Sequence, residues 1–329
     1  MGAGAWGTAV AIHCALGAAP TTLLCRSEPA ALALRTAGEN THYLPACPLP
    51  AALHISADAG VLRGAHLVFI ATPVAGLAAA LTLAQAQGAH AAVWLCKGLD
   101  AATGLLPHEL AQSLGASLAQ PKGLNLPTGV LSGPSFAKEV AQGLPCALTV
   151  ASHHPDLNAA VQAALHRASM RVYTSRDVVG VEVGGAVKNV IALACGICDG
   201  LALGLNARAA LITRGLAETT RFALALGAKP DTLMGLTGAG DLVLTCTGSL
   251  SRNRSYGLLL AKGHAPERIE AQLGHVAEGA RCVAALAQRA ALLGVDMPIT
   301  QAVAQIVAGV LAPQAALQAL LQRDARAET

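Results

Sequence analysis

Gly2-Ala-Gly4-Ala-Trp-Gly7-Thr8, running straight into the uncharged stretch Ala9–Leu16, decides how this 329-residue chain reads. Three glycines at this spacing open an apolar helix, and Arg26 follows 19 residues after Gly7 at the end of a strand-like run, Thr21–Cys25. That is the dinucleotide-binding fingerprint. The first two glycines permit a tight turn and close approach of backbone to a pyrophosphate, the third lets helix and strand pack, and the helix N-terminus faces the negative charge. Gly2, Gly4, Ala5, Trp6 and Gly7 are therefore candidate cofactor residues. On the motif alone, a plain structural turn in a chain with 34 glycines is the competing reading. Arg26 stands where NAD sites usually carry an acid for the ribose 2′-hydroxyl, and an arginine there can hold a 2′-phosphate. NADP is thus preferred, with NAD possible. The alternative is that Arg26 is an exposed charge and Glu28 serves the ribose.

Working outward, short β-type runs alternate with Ala/Leu-rich helical stretches: Thr21–Cys25, His66–Ala71, Ala91–Cys96, Val130–Ser132, Ala147–Ala151 and Arg171–Thr174. Apolar strands separated by helices imply a parallel sheet covered on both faces. After residue 178 the strand signals stop. Val178–Leu201, Arg208–Leu226, Ser251–Lys262, Gly279–Leu292 and Ile299–Val310 all carry helical periodicity. The expected architecture is α/β, a Rossmann-like doubly wound parallel sheet (residues 1–177, nucleotide-binding) followed by an all-α C-terminal domain (residues 178–329, substrate-binding and catalytic). One feature conflicts with it: only Met1 precedes Gly2, so the first and normally central strand is truncated. Its loss would strip ladder partners from two neighbours, so the sequence predicts a natural start about 6–15 residues upstream.

Composition narrows the function classes. Charged residues are 12% where ~25% is usual, and 53% are apolar, which excludes intrinsic disorder. A net charge of +3, with three Phe, two Trp and three Tyr, supplies neither a basic surface nor stacking platforms for nucleic acid. Met1–Cys25 and Ala65–Cys96 lack any Asp, Glu, Lys or Arg, but Thr72-Pro73, Gly76, Gln85, Gln87 and His90 break up the second run, and the first lacks a positive n-region. No stable membrane insertion is expected. The nine cysteines, an odd number without paired spacing, read as buried thiols of a reducing cytosol, and neither Cys195-x-x-Cys198 nor the eleven histidines form a metal pattern. No metal is expected.

Longer segments then point to one family: Gly2–Thr8, Cys96-Lys97-Gly98-Leu99, Ser132-Gly-Pro-Ser-Phe-Ala-Lys-Glu139, Gly184-Gly-Ala-Val-Lys-Asn-Val190, Asn206–Glu218, Gly238-Ala-Gly-Asp-Leu-Val-Leu-Thr-Cys246 and Ser251-Arg-Asn-Arg254. In this order, over nearly the whole chain, they resemble the bacterial NAD(P)-dependent glycerol-3-phosphate dehydrogenases. The resemblance implies reduction of dihydroxyacetone phosphate to sn-glycerol 3-phosphate for glycerophospholipid synthesis, in the cytoplasm.

Lys188 lies in a Gly/Ala/Val/Ile helix, where desolvation makes an ammonium a competent proton donor to a carbonyl. The resemblance makes it the acid/base, with Asp241 and Asn189 positioning it and the substrate. Without that likeness, a snorkelling surface lysine would be the simpler reading. Arg252 and Asn253 offer a charged fork and an amide at one helix start, suited to a phosphate monoester. By resemblance they hold the substrate phosphate, Ser251 also touches substrate, and Arg252 serves the cofactor as well, while Arg254 stays solvated. Lys97 follows a strand at its carboxyl end and is expected against cofactor and substrate. Gly133 and Ser135 offer N–H groups and a hydroxyl to substrate, and Ala137 lies near the cofactor. The rival reading of Gly133-Pro134 is a simple loop break. Thr245 is either a substrate contact or an ordinary buried threonine. Val276 and Glu278 match positions that reach the adenosine end, although Glu278 also suits a helix N-terminus as a mere charge. Ala5-Trp6 departs from the family, which often has a hydroxyl residue before the aromatic. A homodimer is implied by so much Ala/Leu surface in the helical half. Two other readings stay open: a related reductase of a hydroxy acid, and a catalytically inactive NADP-binding protein.

Overall fold

The structure, a computed structural model, describes residues 1–17, 19–115, 124–167, 169–274 and 277–321. It divides into two compact units, Met1–Lys97 with Leu105–Glu182 and Gly98–Gly104 with Val183–Thr329.

The first unit alternates helices α1 (Ala5–Ala15), α2 (Glu28–Ala37), α3 (Leu77–Ala86), α4 (Pro107–Gly115), α5 (Ala137–Ala141) and α6 (Pro155–Leu165) with nine strands: β1 (Thr21–Leu24), β2 (Glu39–Asn40), β3 (Leu44–Pro48), β4 (Leu53–Ser56), β5 (Val68–Ile70), β6 (Ala92–Trp94), β7 (Thr128–Ser132), β8 (Cys146–Ala151) and β9 (Met170–Ser175). β1 pairs in parallel with β4, while β5-β6-β7-β8-β9 form a separate sheet. All its pairs are parallel except β7–β8, which is antiparallel. The wholly parallel sheet expected from the strand–helix alternation is therefore broken at one pair. The cause is the link between them, whose only helix, α5, has five residues and is too short to carry the chain back along the sheet. The sequence also hid β2, β3 and β4, which are only two to five residues long, with Pro45 and Pro48 and no clean alternation of burial in β3. Helix α1 is buried at every position from Thr8 to Ala15, as an apolar-all-round helix must be.

Met1 and Gly2 span the gap between the two sheets at one end. The Met1 nitrogen donates to Phe69 O at 2.8 Å, Ala71 N donates to Met1 O at 2.8 Å, and Gly2 N donates to Leu24 O at 3.0 Å.

Among the described residues the second unit contains no strand. Its helices follow α7 (Val178–Gly200): α8 (Gly204–Ala225), α9 (Pro230–Met234), α10 (Asp241–Thr247), α11 (Arg252–Ala261), α12 (Pro266–Leu273), α13 (Glu278–Leu292), α14 (Pro298–Val307) and α15 (Pro313–Leu321), with a one-turn π-helix at Leu236–Gly240. Val178 and Val181, in the first turn of α7, belong to the hydrophobic core of the first unit, so the unit boundary falls after Glu182, five residues beyond Asp177. By length and composition α7 could cross a membrane, but 94% of its apolar window is buried in the protein. Small residues let its neighbours approach closely. A Cβ on Gly196 would sit 2.0 Å from Arg254 O and one on Gly257 2.1 Å from Leu193 O, so α7 and α11 touch backbone to backbone.

Candidate active site

In the first unit the glycine turn is a site made of backbone. Gly2 has φ +94°, and a Cβ there would meet Ala71 O at 2.9 Å. A Cβ on Gly7 would lie 2.0 Å from Gly2 O, whereas one on Gly4 would meet nothing within 4 Å. Gly4 thus leaves open space beside the start of α1, whose first turn has neither a side-chain cap nor an acid. The N–H groups of that turn and the dipole behind them fit a pyrophosphate. Asn40 pins the turn from behind: its Nδ2 donates to Ala3 O at 2.9 Å and to Thr8 Oγ1 at 2.8 Å. This buried clamp, in a two-residue strand with no recognisable spacing, was invisible to sequence reasoning.

Arg26 is exposed just beyond β1. Glu28, the alternative residue for the ribose, is ion-paired with Arg35. Lys97 Nζ donates to Gly133 O at 3.2 Å, and Ser135 Oγ donates to the same oxygen at 3.1 Å, so these three form one cluster at the ends of β6 and β7. Gly133 has φ +135°, and a Cβ there would meet Ala147 O at 3.0 Å. Ala137 opens α5 and packs against the core beneath this cluster. The amide of Ala5 lies in the first turn of α1, and Trp6 is half-buried against the same core.

In the second unit the site is made of buried side chains. Gly184 faces the π-turn, where a Cβ would be 2.4 Å from Thr237 O, and Lys188 lies one turn on along the same face of α7. That close approach brings Lys188 to the start of α10. Lys188 Nζ donates to Asp241 Oδ1 at 2.5 Å and to Thr245 Oγ1 at 3.0 Å, and Thr245 Oγ1 donates to Asp241 O at 2.7 Å. Lys188, Asp241 and Thr245 are all buried. A buried ammonium survives there because the carboxylate offsets its desolvation.

Asn189 lies next along α7. Its Oδ1 accepts from Asn253 Nδ2 at 2.9 Å, while its own Nδ2 is buried with no partner among the described residues. Such an orphaned donor calls for a ligand oxygen or an ordered water. Asn253 Oδ1 accepts from Gly279 N at 3.0 Å, so both ends of this amide are engaged in tying α7, α11 and α13 together. Ser251 caps α11, its Oγ accepting from Arg254 N, and Arg252 is exposed on the first turn. Arg254 is not solvated as expected. Its Nε pairs with Asp199 Oδ2 at 2.7 Å, and Arg208 binds the same carboxylate. Glu278 is half-buried at the start of α13, and Val276 lies outside the described residues.

Two buried acids escaped sequence reading because a glutamate in a helix ordinarily signals solvent. Glu182 accepts from Trp94 Nε1 at 2.8 Å and from His108 N at 3.0 Å, and its Oε2 lies 2.5 Å from His108 Nδ1; burial pushes its carboxyl up against these bonds. Glu218 caps α14 through Ile299 N and both Thr300 donors. The thiols are mostly buried: burial pushes Cys14 up to about 11 and Cys282 to about 12, and hydrogen bonding with Cys195, then burial, raises Cys246. Thiols so shifted are poor nucleophiles.

Residues 1–158 match the sequence profile of the NAD-dependent glycerol-3-phosphate dehydrogenase N-terminus, and residues 177–318 that of its C-terminus. Glycerol-3-phosphate dehydrogenase [NAD(P)+] of Paucimonas lemoignei is 53% identical over 334 residues, covering 100% of this chain and 97% of the relative. The enzyme of the same name from Ralstonia nicotianae is 53% identical over 340 residues, covering 100% and 98%. Among solved structures, glycerol-3-phosphate dehydrogenase from Coxiella burnetii superposes with a TM-score of 0.90 at 37% identity, covering 98% of this chain and 97% of that one. With a glycine turn built for a pyrophosphate in one unit and a buried lysine–aspartate pair in the other, the chain belongs to the NAD-dependent glycerol-3-phosphate dehydrogenase family.

Proposed function

We propose that this protein reduces dihydroxyacetone phosphate to sn-glycerol 3-phosphate with NAD(P)H, reversibly, in the cytoplasm and for glycerophospholipid synthesis. The observation that carries the reading is the buried Lys188–Asp241–Thr245 constellation, with the buried Nδ2 of the next residue, Asn189, left without a partner among the described residues. When bound, the reduced nicotinamide supplies a hydride to the ketone carbon. Lys188 Nζ gives a proton to the carbonyl oxygen as negative charge develops on it, and in the reverse direction takes it back from the alcohol. Asp241 and Thr245 fix the ammonium in place, so its orientation costs nothing at the moment of reaction.

Asn189 Nδ2 donates to a substrate oxygen, held to that task by Asn253. Arg252 and Ser251, at the N-terminus of α11, bind the phosphate, where a charged donor and the helix dipole both favour a dianion. Asn253 has one N–H left for the same phosphate once Asn189 is bound. In the first unit, the amides of Gly4, Ala5, Trp6 and Gly7 hold the pyrophosphate and Arg26 the 2′-phosphate. The Lys97–Gly133–Ser135 cluster offers the ammonium, N–H groups and hydroxyl for nicotinamide-side and substrate oxygens. Ala137 with Glu278 and Val276 complete the cofactor set. Residues 1–177 thus carry most of the nucleotide contacts and residues 178–329 most of the substrate contacts.

A homodimer is supported by large apolar side chains exposed on the helical unit, including Leu205 at 71% and Val310 at 77%. Sedimentation in which the protein runs at the mass of one chain would refute that part.

The test of the reaction is loss of absorbance in the reduced-nicotinamide band. Dihydroxyacetone phosphate with NADPH should give turnover, faster than with NADH. Absence of turnover with either nucleotide in folded protein would refute the reading.

A further inference from the structure

Asp199 stands one residue from the end of α7, its side chain only 14% exposed, and both of its oxygens are engaged. Arg208 Nη1, from α8, donates to Oδ1 at 3.1 Å and to Oδ2 at 3.2 Å, while Arg254 Nε, from α11, donates to Oδ2 at 2.7 Å. Arg254 is the more telling partner. It is the third residue of α11, in the turn that also carries Arg252 and Asn253, and α7 holds it by main chain and side chain alike. Gly196 lets its carbonyl approach, since a Cβ there would lie 2.0 Å from Arg254 O, and Asp199, three residues on along the same face of α7, takes its guanidinium. Its N–H donates to Ser251 Oγ at 3.2 Å, so the helix cap closes on the same residue. The neighbouring Asn253 is bonded to Asn189 and to Gly279 N. Arg252 shares this anchored turn and is itself exposed.

We propose that Asp199 is a positioning residue for the substrate phosphate: by holding Arg254 it fixes the first turn of α11, so that Ser251 and Arg252 meet the phosphate in one geometry. This role rests on the reading of Ser251 and Arg252 as the phosphate-binding end of α11. Removing the carboxylate has two opposed effects. A released guanidinium adds positive charge near a dianion, whereas a loosened turn misplaces the donors. Arg208 and Arg254 are 20% and 21% exposed, so solvent and salt weaken the first effect, while a charge-assisted bond to phosphate depends steeply on geometry. Misplacement should therefore win, and the phosphate should bind more weakly.

The test compares Asp199→Asn, Asp199→Glu and Arg254→Gln in the whole protein. The probes are dihydroxyacetone phosphate, dihydroxyacetone (the same ketone without its phosphate) and inorganic phosphate as a competitor. Asp199→Asn should raise KM for dihydroxyacetone phosphate and Ki for inorganic phosphate together, about tenfold, with kcat, and kcat/KM for dihydroxyacetone, within about threefold of the parent. Asp199→Glu, which keeps the charge, should recover most of that loss. Arg254→Gln, which leaves the Asp199–Arg208 pair in place, should reproduce it, and the double variant should lose no more than Asp199→Asn alone, because both act through one contact. An unchanged or lower Ki in Asp199→Asn, or equal losses with both ketones, would overturn the proposal. So would an unchanged Ki in Arg254→Gln, which decides the matter even where Asp199→Asn does not fold. A folded parent that turns over neither ketone would instead overturn the reaction on which this role rests.

Discussion

In the first unit Gly2, Gly4 and Gly7 matter for what they lack: two of them sit where a Cβ would strike main chain, and one clears space at a helix start. In the second unit the groups that matter are side chains, Lys188 on α7 reaching Asp241 and Thr245 on α10, with the amide of Asn189 beside them. The difference teaches where each half is vulnerable. A backbone site tolerates almost any side chain except one that fills the cradle, whereas a buried charge pair fails when either partner changes.

Removing one charge from the pair tests the second half most harshly. Asp241→Asn leaves Lys188 buried without its carboxylate, and we expect the helical unit to lose about 3–5 kcal/mol by calorimetry along with most of the turnover. A variant that melts like the parent would show that the pair is not the structural centre of that unit.

Gly4→Val separates cradle from fold. Since nothing among the described residues lies within 4 Å of an added Cβ, stability should fall only by what a poorer N-cap costs, about 1 kcal/mol, while NADPH affinity measured by fluorescence titration should fall roughly 10²-fold as contacts to a charged pyrophosphate are lost. A smaller effect is expected at the ribose end. Arg26→Ala should weaken NADPH about tenfold and leave NADH unchanged, which would erase the preference for the phosphorylated cofactor.

The two halves also differed in how far the sequence disclosed them. The glycine turn is legible because a positive φ and a close backbone approach admit one residue type, so the constraint is written in three letters. Asp241 is 53 residues from Lys188, and no spacing rule links them; they were found together only through motifs shared with a family. Asn40, Glu182 and Glu218 had no such signal. Each is a polar residue whose partners come from distant elements, and burial is a property of the fold. The helices of the second unit announced themselves by period. β2, β3 and β4 did not, being too short to show one, with β3 also interrupted by proline, and the reversal of β8 was set by the brevity of α5 rather than by anything within the strand.

Division of labour between a nucleotide-holding turn and a proton-donating lysine is the central claim, and Lys188→Ala tests it when two quantities are measured on one sample. NADPH affinity should match the parent, because the cradle is untouched, while kcat with dihydroxyacetone phosphate should fall ~10³–10⁴-fold. A variant that turns over within a few-fold of the parent, or one whose loss is matched by lost NADPH binding, would contradict the account.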